Sequence, residues 1–136
     1  MRKILILAGR YLPGHKDGGP LRTLINLTNA LGDEYEFYIA CFDRDQGDTE
    51  PYTNIERDTW NKVGKANVWY VQPGGFTKKL ILNLAKDKDI IYLTSFYAEY
   101  GYKTLLLKKE KKIQSPVVIA SMGVFSKEAL AQKSLK

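Results

Sequence analysis

The chain has 136 residues, 44% of them hydrophobic and 26% charged, with a formal net charge of +6. That profile fits one globular core over 1–136 and excludes a disordered or fibrous class. A lone Cys41 and a lone His15 exclude a disulfide framework and a cysteine–histidine zinc cluster.

The first strand is predicted over Lys3–Ala8, where Ile4-Leu5-Ile6-Leu7-Ala8 forms the continuous apolar run of a strand buried on both faces. This run is shorter than the ~7–15 residues of a secretion signal, and no stretch approaches the ~20 apolar residues of a spanning helix. A cytoplasmic protein, soluble or peripheral at a membrane, is the expectation. A loop through Gly18-Gly19 leads to Pro20, a good first helical residue, and to a helix with Leu21, Leu24, Ile25 and Leu31 on one face, ending near Gly32. Phe37–Phe42 reads as the second strand, with Cys41 packed inside it, and Asp43–Asn54 as a polar surface loop. Ile55–Val63, containing Trp60, reads as a short helix. Asn67–Val71 is the third strand. Phe76–Lys86 is a helix that buries Phe76, Leu80 and Leu84. Ile90–Leu93 is the fourth strand, followed by an aromatic loop and a helix near Tyr100–Lys111. Val117–Ala120 is the fifth, and Ser121–Phe125 turns into a final helix capped by Ser126 with Glu128 in its first turn.

Strands alternating with helical segments predict an α/β fold, a doubly wound, Rossmann-like parallel sheet of about five or more strands. The usual order 3-2-1-4-5 places ligands beyond the carboxyl ends of the strands, where the order reverses. Here that crevice lies between the first and fourth strands, and the loops Gly9–Gly19, Thr94–Gly101 and Ser121–Phe125 converge on it.

Gly18-Gly19-Pro20 reads either as a plain turn or as a site where the backbone approaches an anion and first-turn N–H groups face it. Neither G-x-G-x-x-G nor G-x-x-x-x-G-K-[ST] is present, which disfavours dinucleotide dehydrogenases and P-loop enzymes. Arg22, in the first helical turn, can pair with phosphate or carboxylate, and His15 and Lys16 stand in the preceding loop. Asp43-Arg44-Asp45 is a weak metal signal in an acidic surface loop. The segment fails as a calcium loop, because Asn54 stands where a bidentate glutamate is needed. No metal and no cofactor are expected. Among Ser95–Tyr102, Phe96 and Tyr100 read as packing residues, and Tyr97 and Glu99 as ligand contacts. The paired lysines at 78–79, 108–109 and 111–112 read mainly as solvated helix faces. They lack the interleaving typical of nucleic-acid modules, so no nucleic acid is expected.

Two segments together resemble a known family. Ile4–Ala8, Tyr11-Leu12-Pro13 and Gly18-Gly19-Pro20 with Arg22 and Asn26-Leu27 resemble the opening of retaining glycosyltransferases of the GT-B, family-4 type. The stretch from Ser115 through Ser121-Met122-Gly123-Val124-Phe125-Ser126 to Ala129-Leu130 and Lys133 is similar to the family's late strand, turn and S-x-x-A-L helix. The resemblance implies an acceptor-side N-terminal domain. Its Gly18-Gly19 turn would touch the diphosphate of a nucleotide sugar. His15, Arg22, Tyr97, Glu99, Ser121 and Gly123 would contact substrate or acceptor, a glycan or a lipid-linked one, with basic surface held against anionic lipid. A nucleotide-sugar-binding C-terminal domain with the paired glutamates is not in this sequence, so the chain alone is expected to be inactive. Met122 stands where many relatives carry a cation. Two alternatives stay open: a non-catalytic partner subunit, and a small flavodoxin-like nucleotide-binding protein.

Overall fold

A computed structural model describes residues 2–14, 19–45, 47–95 and 98–119. The order of elements is β1 (Arg2–Leu7), α1 (Gly19–Leu31), β2 (Tyr35–Phe42), β3 (Asn61–Val63), β4 (Ala66–Val71), α2 (Lys78–Ala85), β5 (Ile90–Leu93), α3 (Glu99–Lys109) and β6 (Val117–Ile119). They build a six-stranded, mostly parallel sheet in the order β3-β4-β2-β1-β5-β6. Without the antiparallel edge strand β3, the parallel strands follow the expected 3-2-1-4-5 order, which reverses between β1 and β5.

Alternation along β1 explains how both faces are covered. Ile4 and Ile6 point to one side, where they join Leu21, Leu24, Leu27 and Leu31 of α1. Leu5 and Leu7 point to the other, where they join Ile81 and Leu84 of α2 and Leu107 of α3. All four β1 residues are fully buried, as a central strand of an α/β sheet requires.

The segment read as a helix over Ile55–Val63 is instead irregular up to Trp60, then forms β3, which pairs antiparallel with β4. Gly64 opens the hairpin at a φ of 58°, a left-handed conformation that suits glycine at the first position of a tight turn. Trp60 stays inside an aromatic cluster, with its ring 4.9 Å from Tyr38 and 5.3 Å from Trp69. Among the described residues the crossover from β2 to β4 therefore carries no helix, and Tyr52 and Ile55 pack onto the α1-side core in its place.

Two smaller corrections concern helices. In α2, Ile81 and Leu84 are buried and Leu80 only half-buried. Phe76 is buried but precedes the helix, whose N-cap is Thr77, with the Thr77 hydroxyl accepting from Leu80 N at 3.1 Å. Lys108 is not a solvated lysine: its ammonium donates to the carbonyls of Ile113, Gln114 and Ser115 at 3.3, 3.2 and 3.0 Å. That contact ties the end of α3 to the approach of β6. The late turn and the final helix expected after Ile119 lie outside the described residues.

Candidate functional site at the carboxyl edge of the sheet

The crevice begins where pairing outlasts β1. Ala8 N donates to Ala40 O at 3.0 Å and Phe42 N donates to Gly9 O at 3.1 Å, so β1 and β2 stay joined up to Gly9. Thr94 N donates to Leu7 O from the β5 side at 3.2 Å. Beyond this seam the two sides of the edge differ.

On the side of α1, the loop after β1 is held by tyrosines. Tyr11 is 2% exposed and its hydroxyl lies 2.9 Å from Thr28 Oγ1 on α1. Thr28 gives its own proton to Ile25 O, so Tyr11 is the donor in this pair. The Tyr70 hydroxyl donates to Leu12 O, and a cis peptide joins Leu12 to Pro13. A Cβ at Gly14 would lie 2.5 Å from the Tyr52 hydroxyl and 3.3 Å from Asp45 Oδ1, so only glycine lets the loop pass this close. Burial pushes the ionisation of Tyr52, Tyr70 and Tyr11 above the ordinary tyrosine range, and that of the Cys41 thiol above the ordinary thiol range. For Tyr52, the Asp45 carboxylate adds to the shift.

Asp43 and Asp45, expected in a surface loop, are 1% and 2% exposed. Arg44 Nε donates to Asp43 Oδ1 at 2.9 Å. Arg57 lies 3.3 Å from Oδ2, at ion-pair distance but outside hydrogen-bond alignment. The Asp43 backbone is held as well, with Asp43 N donating to Val71 O at 2.9 Å and Tyr52 N donating to Asp43 O at 2.7 Å. Burial became affordable for this carboxylate because two guanidinium groups face it.

On the side of α2 and α3, the edge is floored by rings. Phe42 meets Phe76 edge-on at 5.4 Å, and Phe76 meets Tyr100 at 5.3 Å. Thr94 Oγ1 donates to Leu7 O at 3.1 Å, so the Tyr100 hydroxyl, 2.9 Å away, donates to Thr94. Lys103 bridges Glu99 at 2.9 Å and Phe76 O at 3.0 Å. Arg10 lies over this floor, its Cζ 5.1 Å from the Phe42 ring centroid.

The expected site residues divide accordingly. Gly19 begins α1, and Arg22 is exposed in its first turn, which contains no acidic residue. Glu99 begins α3 and is engaged by Lys103, one turn on. His15, Gly18, Tyr97, Ser121 and Gly123 lie outside the described residues. Among the described residues, no group of three or more His, Cys, Asp or Glu side chains is placed to hold a metal. No helix among them is long and apolar enough to cross a membrane.

Sequence reasoning passed over Arg10, Thr94, Lys103 and the Asp43–Arg57 pair. Arg10 had a positional signal, since it follows directly on the first apolar run and so falls at the carboxyl end of the strand beside the order reversal. The Asp43–Arg57 pair had none, because it depends on how the irregular crossover folds back. Comparison with known proteins finds no matching family model, no matching curated protein and no matching solved structure.

Proposed function

We propose that this chain is the acceptor-side, Rossmann-like half of a GT-B, family-4-type retaining glycosyltransferase, moving a sugar from a nucleotide diphosphate to a glycan or lipid-linked acceptor. The observation that carries the reading is topological. The strand order reverses between β1 and β5, and the loop leaving β1 at that point runs into a helix that starts on a glycine, with no carboxylate in its first turn. Such a position suits a diphosphate, because unpaired first-turn N–H groups and the helix dipole both favour an anion.

In this reading Gly18 and Gly19 cradle the diphosphate through backbone N–H groups. Arg22, His15, Ser121 and Gly123 give polar contacts around it. Tyr97 and Glu99 flank the acceptor, with the Glu99 carboxylate held in place by Lys103. The nucleotide-binding wall of the cleft comes from a second domain or a partner chain. One half of a cleft can neither exclude water nor preorganise a transition state, so this polypeptide by itself should not turn over donor.

The test uses the product of the whole parent gene. It is assayed for hydrolysis of a panel of nucleotide diphosphate sugars, with and without Gly19→Trp. Donor hydrolysis that vanishes in the folded variant supports the reading. Unchanged turnover removes the glycine from the mechanism, and tight binding of FMN by the 136-residue chain favours a flavodoxin-like protein instead.

A further inference from the structure

We infer that Arg10 is an anion-binding residue of this crevice, seating the diphosphate of the nucleotide sugar against the aromatic floor; the identity of that anion rests on the transferase reading above. Of the guanidinium groups near the carboxyl edge, Arg44 and Arg57 are paired with Asp43, and Arg22 is exposed in the first turn of α1. Arg10 has no carboxylate within 4.0 Å among the described residues. Among the described residues, its one hydrogen bond runs from Nη1 to Gly9 O at 2.9 Å, and the buried Nε–H has no acceptor.

The geometry leaves one side of the guanidinium unused. With Nη1 turned to the backbone, Nε and Nη2 form the edge that presents two parallel N–H groups, the fork that a phosphate oxygen pair matches. The guanidinium lies over the Phe42 ring at cation–π distance, its Cζ 5.1 Å from the centroid, which favours this position for the charge. A buried N–H without an acceptor is costly in a folded protein, and a bound oxyanion removes that cost. The space above the adjoining backbone agrees, because a Cβ at Gly9 would meet no described atom within 4 Å.

The experiment titrates the 136-residue chain with inorganic pyrophosphate by calorimetry at low ionic strength, and sediments it with vesicles containing phosphatidylglycerol. The variants are Arg10→Gln, Arg10→Lys and, as a control of equal charge change on the far end of α3, Lys109→Gln. Circular dichroism verifies that each is folded. Arg10→Gln is expected to weaken pyrophosphate binding about tenfold or more, the scale of one charge-assisted hydrogen-bonded contact. Arg10→Lys should recover part of it, and Lys109→Gln should bind pyrophosphate as the parent chain does. Pyrophosphate binding that is absent in the parent chain, or equal in Arg10→Gln and Lys109→Gln, overturns the assignment. A loss confined to vesicle sedimentation also overturns it, because the anion would then be a lipid headgroup. Loss of pyrophosphate binding in Arg10→Gln, together with a parent gene product that turns over no sugar donor, would leave the Arg10 site standing and sink only the transferase reading.

Discussion

The two sides of the carboxyl edge are built from similar residue types and put them to opposite uses. Over α1, tyrosine hydroxyls and charged groups are turned inward: Tyr11 on Thr28, Tyr70 on Leu12, and Asp43 between Arg44 and Arg57. Over α2 and α3, the aromatic rings Phe42, Phe76 and Tyr100 form a floor, and Arg10 above it has no carboxylate partner among the described residues. A buried carboxylate is costly unless cations face it, so the first side uses its charge for architecture. A guanidinium on an apolar floor has nothing to neutralise it within the described residues, so the second side has charge left for a ligand. This contrast separates residues whose loss should unfold the loop from residues whose loss should only empty the crevice.

The largest expected effect lies on the α1 side. Tyr11→Ala removes a ring that is 2% exposed and should cost about 3–5 kcal/mol, the range for deleting a buried aromatic side chain. Tyr11→Phe keeps the ring and should cost about 1 kcal/mol, since Thr28 Oγ1 still donates to Ile25 O. Chemical denaturation of the two variants checks both figures. Equal costs would mean that the hydroxyl pair, rather than the packing, holds the loop.

Alkali should act on the same side. Tyr11, Tyr52, Tyr70 and Cys41 all ionise above their ordinary values of 10.0 and 9.0 in the fold, with burial as the largest cause. The unfolded chain then loses these protons first, so stability is complete below the unfolded values and falls as pH rises through and beyond them. Denaturation midpoints should be steady near neutrality and drop from about pH 9 upward. Tyrosinate absorbance should appear with unfolding and not before it. Ionisation of these tyrosines in the still-folded chain would contradict the closed character of this side.

Asp43→Asn should cost about 1–3 kcal/mol, the scale of a charged hydrogen bond lost at a buried group. The value stays below that of a fully buried pair because Arg57, half exposed, can return to water. Stability measured with rising salt distinguishes the causes, since the wild-type advantage should shrink only slightly if the pair is shielded.

The contrast between the two sides was only partly legible in the sequence. The continuous run Ile4–Ala8 and the spacing of strands and helices foretold the 3-2-1-4-5 order and hence the position of the crevice. The misread crossover shows where such reasoning stops. Ile55–Val63 reads locally as a short helix, but pairing with β4 through the Gly64 turn is a contact between segments, which local pattern does not record. The same limit concealed the buried state of Asp43. An acidic run reads as surface until the cations that face it are known, and Arg57 reaches Asp43 from fourteen positions away only through the irregular crossover. On the open side, Tyr100 was readable as a packing residue, whereas the bond from its hydroxyl to Thr94 depends on the angle at which α3 leaves β5.

The smallest expected change in stability belongs to Arg10, and it is the sharpest test of the contrast. Arg10→Gln removes a cation–π contact with Phe42 and one bond to Gly9 O, together worth about 1 kcal/mol or less at a half-buried position. It also removes a cation with no carboxylate partner among the described residues, which offsets part of that loss. The thermal midpoint should therefore move little, while pyrophosphate affinity falls. Asp43→Asn should do the reverse, lowering the midpoint with the anion affinity nearly unchanged once the protein is folded. If Arg10→Gln instead destabilised the chain as much as Asp43→Asn does, the guanidinium would be a structural tie like Arg44, and both sides of the edge would serve the fold alone.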